Sequence, residues 1–219
     1  EADRILLAGF TTTTDANHCR GFLRVSGDAG LTWGPDVVVP QWDRANEIAL
    51  TRAANGDLIA AARRDPAPEF ADAIDHYTGF GVSRSEDDGR TWSPLVPVFD
   101  VGRHHTSTVV LPSGELVMSY VVRAGYPPTA DGYPQFGVEA IVSRDHGRSW
   151  DVDRPYVLHR WRADRKDDRA WWRSVQQTSS VLLPDGSICT AFGTWYRSEP
   201  AEAGVIRPLD VGIVRWRPA

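Results

Sequence analysis

Only two of the 219 residues are cysteine. Cys19 and Cys189 are too few for a disulfide framework and share no metal-like spacing. They read as two separate thiols packed as small hydrophobes, which leaves the redox compartment open. Long apolar runs are missing too. None approaches the roughly 18 to 20 residues that a membrane-crossing helix needs, so no membrane partner is expected. Nor is there an excess of positive charge: 24 Lys and Arg stand against 29 Asp and Glu, a formal charge of −5. That weighs against a nucleic-acid partner, whose surface would be basic. No Gly-rich phosphate loop follows a strand pattern and no His/Cys cluster has ligand spacing, so neither a nucleotide cofactor nor a metal is expected. Helix-period patterning is absent; apolar residues alternate or cluster in short runs.

What is present is the composition of a soluble globular domain, 42% hydrophobic and 24% charged, in a chain long enough for one sizeable core. Nine residues are tryptophan, and three of them close one recurring phrase. It reads Ser26-Gly27-Asp28-Ala29-Gly30-Leu31-Thr32-Trp33, then Ser85-Glu86-Asp87-Asp88-Gly89-Arg90-Thr91-Trp92, then Ser143-Arg144-Asp145-His146-Gly147-Arg148-Ser149-Trp150. The starts are 59 and 58 residues apart, a period typical of propellers and other arrays. In such a phrase Asp can bond backbone N–H groups a few residues on, Gly accepts a positive φ, and Trp buries an apolar face beneath the turn. The phrase locks a hairpin and is not itself a catalytic site.

A second set of turns interleaves with the first: Asn55-Gly56-Asp57, Pro112-Ser113-Gly114 and Pro184-Asp185-Gly186, each between apolar or alternating runs. Small Gly turns between such runs read as hairpins. The unit is strand, Gly turn, strand, loop, strand, Asp phrase, strand: a four-stranded blade. In this register residues 5–40 supply strands two to four of one blade, residues 47–99 and 105–159 two whole blades, and residues 177–217 strands one to three of a last one. The expected fold class is all-β, a single propeller domain over residues 1–219 with about four blade units. A related six-bladed ring needs roughly 350 residues at this period. The chain begins at Glu1 with no leader pattern, so at least one blade and the closing strand are expected upstream; a small complete propeller or open arc is the alternative.

Three Asp boxes in blade register resemble the sialidase (neuraminidase) superfamily. The resemblance implies boxes on the face away from the active site. It implies an active face built from the loops near 35–47, 63–80, 93–106, 122–137, 151–177 and 196–208. Loop 151–177 carries Trp161, Arg162, Arg165, Arg169, Trp171, Trp172 and Arg173, which suit sugar rings and carboxylates or simply anchor the loop.

Asn46-Glu47 opens an innermost strand and Arg63 ends the next. The pair resembles the family's Asn-Glu, where Glu assists the nucleophile, followed by an active-site Arg. On this basis Glu47 is the candidate catalytic residue, and Arg63, Arg103 and Arg123 are candidates to bind substrate. Glu47 and Arg63 are expected within side-chain reach of each other, facing the axial cavity; a structural salt bridge is the other reading.

The family uses a Tyr nucleophile, three Arg residues that clamp an anionic sugar carboxylate and an Asp acid. The Tyr position falls here at Gln177, before Ser179-Ser180, and the strand before the third box carries Val138-Glu139-Ala140 where many relatives have Arg. Further candidates are His104, His105 and Arg197, the tyrosines Tyr126, Tyr133 and Tyr196, and Asp65, Asp72, Asp75 and His76 in one acidic loop. The function this implies is a sialidase-like glycoside hydrolase acting on a terminal acidic sugar, with a carbohydrate as partner. The alternatives are a binding-only propeller and a lyase or hydrolase with a histidine base.

Overall fold

The computed structural model describes residues 4–13, 18–65, 78–167, 170, 177–194 and 210–219. They form four antiparallel sheets in which every strand pairs with its sequence neighbour. The first holds β1 (Ile5–Thr13), β2 (His18–Ser26) and β3 (Val37–Asp43). The second holds β4 (Ala45–Arg52), β5 (Leu58–Arg64), β6 (Phe80–Ser85) and β7 (Val96–Phe99). The third holds β8 (Arg103–Val110), β9 (Leu116–Val122), β10 (Gln135–Ser143) and β11 (Tyr156–Arg162). The last holds β12 (Thr178–Leu182), β13 (Ile188–Thr194) and β14 (Asp210–Trp216). No helix among the described residues is long and apolar enough to cross a membrane. This is an all-β chain of the sialidase-like propeller type.

The core lies between sheets. Leu58, Ala60 and Ala62 of β5 pack with Leu23, Trp42 and Trp92 on one side. Ile59 and Ala61, one residue out of phase, pack with Leu116, Met118 and Tyr120 on the other. Phe136, Val138 and Val121 then meet Phe192 of the last sheet. A strand buried on both faces needs a continuous apolar run rather than alternation, which is why β9 is buried along its whole length. Each fully buried Ile or Leu contributes about 2 kcal/mol. The first strands β4, β8 and β12 lie side by side where the sheets converge.

The three Asp boxes share one geometry. Ser85 Oγ donates to Asp87 Oδ1 at 2.8 Å and accepts from Gly89 N–H at 2.8 Å. Thr91 gives Asp87 both its N–H, at 2.8 Å, and its hydroxyl, at 2.6 Å. The first and third boxes repeat these bonds. The glycine takes positive φ in each, and so does the residue before it: Ala29, Asp88 and His146. Trp92 is buried and meets Trp42 edge-on at 4.6 Å. Trp33 differs from the expectation, remaining 38% exposed. Each later box packs against the sheet before it, as Gly147 does near Ile59; among the described residues no sheet precedes the first.

Two outcomes test this frame. Bonds from Thr32 and Thr91 hold the Asp28 and Asp87 carboxyls down at about 2, against an ordinary 3.8. A lowered carboxyl stabilises fully above its unfolded value and loses that effect as pH falls through the folded one. The thermal midpoint should therefore drop between about pH 4 and pH 2, less steeply in Asp87→Asn. A Cβ added at Gly56 (φ 94°) would meet open space, whereas at Gly147 (φ 82°) it would lie 2.8 Å from Ile59 Cδ1. Denaturant unfolding should show Gly56→Ala costing about 1 kcal/mol and Gly147→Ala about 1–3 kcal/mol more.

Candidate functional site

Strand pairing sets which end of each sheet carries the chemistry. Leu58 pairs with Ser85 of the Asp box, while Arg63 pairs with Phe80 and with Asn46 at the other end. The polar residues that open β4 and β8 therefore lie opposite the boxes, where the sheets converge. They belong to strands, not loops: one residue, Arg44, separates β3 from β4.

Both strands bulge there. The β4–β5 register shifts between Asn46 and Ala49, and the β8–β9 register between His104 and Ser107. Glu47 sits at φ 48° and His105 at φ 54°. Of the non-glycine residues with positive φ, these two lie inside strands. A left-handed conformation costs such a residue roughly 1–2 kcal/mol, and bulges of this kind re-aim side chains beside functional sites.

The two re-aimed side chains meet. His105 Nδ1 lies 2.8 Å from Glu47 Oε2, and Arg63 Nη1 donates to Oε1 at 3.1 Å. Burial by itself would raise the Glu47 carboxyl, but the contacts with His105 and Arg63 outweigh it and hold the group below its ordinary 4.5. Glu47 is an anion at neutral pH. Behind it, Asn46 Nδ2 donates to Asp65 Oδ1 at 2.8 Å, and Cys19 N–H donates to Asp65 Oδ2 at 3.1 Å. Asp65 thus acts as a buttress to the strand that carries Glu47. The His104 ring, fully buried, lies 4.3 Å from that of His105. On the far side, Thr178 Oγ1 donates to the His105 carbonyl at 2.7 Å, which sets exposed Gln177 one residue from the cluster.

Arg103 and Arg123 take other positions. Arg103 lies over the Phe99 ring at 4.7 Å, with Nε 3.6 Å from Glu139 Oε2. Glu139 is buried and accepts from Tyr120 at 3.0 Å and Tyr126 at 2.7 Å. Burial, then the charge of Glu139, raises both phenols, so each stays protonated and donates to the Glu139 carboxylate. Arg123 is buried at the end of β9, its N–H bonded to the Gly102 carbonyl at 2.8 Å. Tyr133 stacks under Arg162, and Trp161 joins the core beside Phe192. Asp72, Asp75, His76, Arg169, Trp171, Trp172, Arg173, Tyr196 and Arg197 fall outside the described residues.

What sequence reasoning missed is the partnership of Glu47 with His105, and the repeat held its signal. Glu47, His105 and Gln177 each stand nine residues before a turn glycine: Gly56, Gly114 and Gly186. They are the same position in three successive blades.

The profile of a family described as a BNR repeat-like domain matches residues 1–159. No curated protein sequence matches the chain. Among solved structures, it resembles an α-L-arabinofuranosidase of Fusarium graminearum bound to an iminosugar inhibitor (TM-score 0.64, 13% identity, 100% of this chain and 64% of that one). A protein of unknown function from Dyadobacter fermentans gives 0.60 and 17%, over 97% and 57%. A Hadza microbial sialidase gives 0.57 and 15%, over 88% and 40%. The chain thus spans about 40 to 64% of the length of these structures.

Loss of Glu139 would leave two phenols and a guanidinium without their buried partner. Glu139→Ala should cost about 3 kcal/mol in urea unfolding, and Tyr126→Phe in the same background should cost almost nothing further.

Proposed function

The chain belongs to the BNR repeat-like domain family, and from that premise we propose a sialidase-like glycoside hydrolase that acts on a terminal, acidic sugar. The observation that carries this reading is the Glu47–His105 contact: two strained, repeat-equivalent residues turned toward each other at the end of the sheets opposite the Asp boxes. Strain of this kind persists where the surrounding structure over-determines it, and it collects at active sites. The arabinofuranosidase and the sialidase among the similar structures are glycosidases by their names, which supports a sugar as the partner.

The roles follow from charge. Glu47, already ionised, cannot donate a proton and serves as base. It takes the proton from an attacking water directly, with the Arg63 and His105 contacts keeping the carboxylate ionised until it does so. The departing sugar oxygen takes its proton from solvent. Arg63, fixed by Glu47, offers a planar guanidinium that matches a sugar carboxylate. Arg103 and Arg123 are further candidates to bind that carboxylate, Arg103 with part of its guanidinium committed to Glu139. A water nucleophile suits a site whose family Tyr position is occupied by Gln177.

That same Gln177 is the residue that favours the second reading, a binding-only propeller: an amide at the nucleophile position can hold a sugar hydroxyl but cannot attack. Hydrolysis of fluorogenic sialosides, uronides and arabinofuranosides, compared with Glu47→Gln, separates the two. The hydrolase predicts turnover on an acidic glycoside, lowered at least about 100-fold in the variant with its circular dichroism unchanged. Folded protein that binds an acidic glycan equally well with and without the Glu47→Gln substitution, yet turns over no substrate, would establish the binding propeller.

A further inference from the structure

We propose that Glu47, His104 and His105 form a binding site for a divalent transition metal, with zinc the ion whose chemistry the donors fit best. Such a site goes beyond the glycosidase reading and stands without it: with the ion bound, Glu47 and His105 are ligands, and the base role drawn above belongs to the metal-free protein. Each of the three residues offers a ligand atom, and these atoms lie within 4.8 Å of one another. Two imidazoles and one carboxylate are a donor set that zinc takes readily, and three protein ligands leave one position open for water or a sugar hydroxyl.

Two features of the site point the same way. Successive side chains of a regular strand face opposite sides of the sheet, so neighbouring histidines should not meet. The bulge at His105 brings the His104 and His105 rings to 4.3 Å on one side. Glu47 Oε2 is buried and accepts no well-aligned hydrogen bond, although His105 Nδ1 is only 2.8 Å away. A carboxylate oxygen and an imidazole nitrogen that are close but not aligned on each other are disposed as two ligands sharing a third species.

The surroundings fit as well. Arg63 engages Oε1 and leaves Oε2 for the ion, the outer-shell arrangement that orients a ligating carboxylate. Thr178 holds the His105 backbone through its carbonyl. The side chain of Glu47 is 27% exposed while that of His105 is 8%, and Oε2 itself is buried, so the ligand atoms lie just beneath the surface.

The test is isothermal titration of zinc chloride into chelator-stripped full chain, with visible absorption of cobalt(II) as a second readout. One ion per chain is expected, with affinity at least about 10-fold weaker in His105→Asn and in Glu47→Gln, and unchanged in Cys189→Ser. Circular dichroism of each variant shows that the fold is retained. Absence of saturable binding, or binding that His105→Asn leaves intact, overturns the site. Neither readout involves turnover, so a failed glycosidase assay leaves this result unaffected, and the reverse.

Discussion

Leu58, Ala60 and Ala62 face one neighbouring sheet, while Ile59 and Ala61 face the other, so the second sheet has no solvent side. The third sheet is in the same position, with Met118 and Tyr120 toward one neighbour and Val117 and Val121 toward the other. Burial of both faces forces the sheets to stack like leaves, and it leaves only strand ends and turns for polar chemistry. Everything else in the molecule answers to that constraint. The boxes seal one end with hydrogen bonds internal to the turn, and the opposite end is free to carry charge.

At that opposite end the first strands converge, and there the strands give up regular pairing. A straight β4 would alternate Asn46, Glu47 and Ile48 between its two faces. The bulge instead turns Glu47 toward His105 while Asn46 stays on Asp65. The energetic cost of two left-handed residues is met by the packing of the same strands a few residues further on, where Leu50 and Val109 join the core clusters. Arg63 is held in place because its strand pairs Asn46, and Glu139 anchors a separate cluster one sheet away. The two polar groups differ in kind: the Glu139 cluster is closed by phenols that stay protonated, whereas the Glu47 cluster keeps an anion that reaches solvent.

Much of this was legible in the residues. Three copies of Ser-x-Asp-x-Gly-x-(Thr/Ser)-Trp mark hairpins by turn chemistry alone, and the apolar runs between them mark the strands. Glu47 stood out as a carboxylate entering an apolar strand, and Arg63 as the cation ending the next. Trp33 was harder to place, because its burial depends on a neighbouring sheet and not on its own turn. Arg103 reads from the sequence as a cation at the mouth of a channel. Its contacts with Phe99 and Glu139 come from strands that the sequence does not pair by itself.

The sequence alone determined the repeat, the boxes and the all-β class, because turn preferences and apolar runs act over a few residues and recur at a fixed period. It also placed Glu47, His105 and Gln177 at one blade position. Only the tertiary structure decided that Glu47 and His105 touch. Residues 58 apart meet there because two adjacent strands bulge at the same level. Neither bulge is announced by a glycine, since the positive φ falls on Glu47 and His105 themselves.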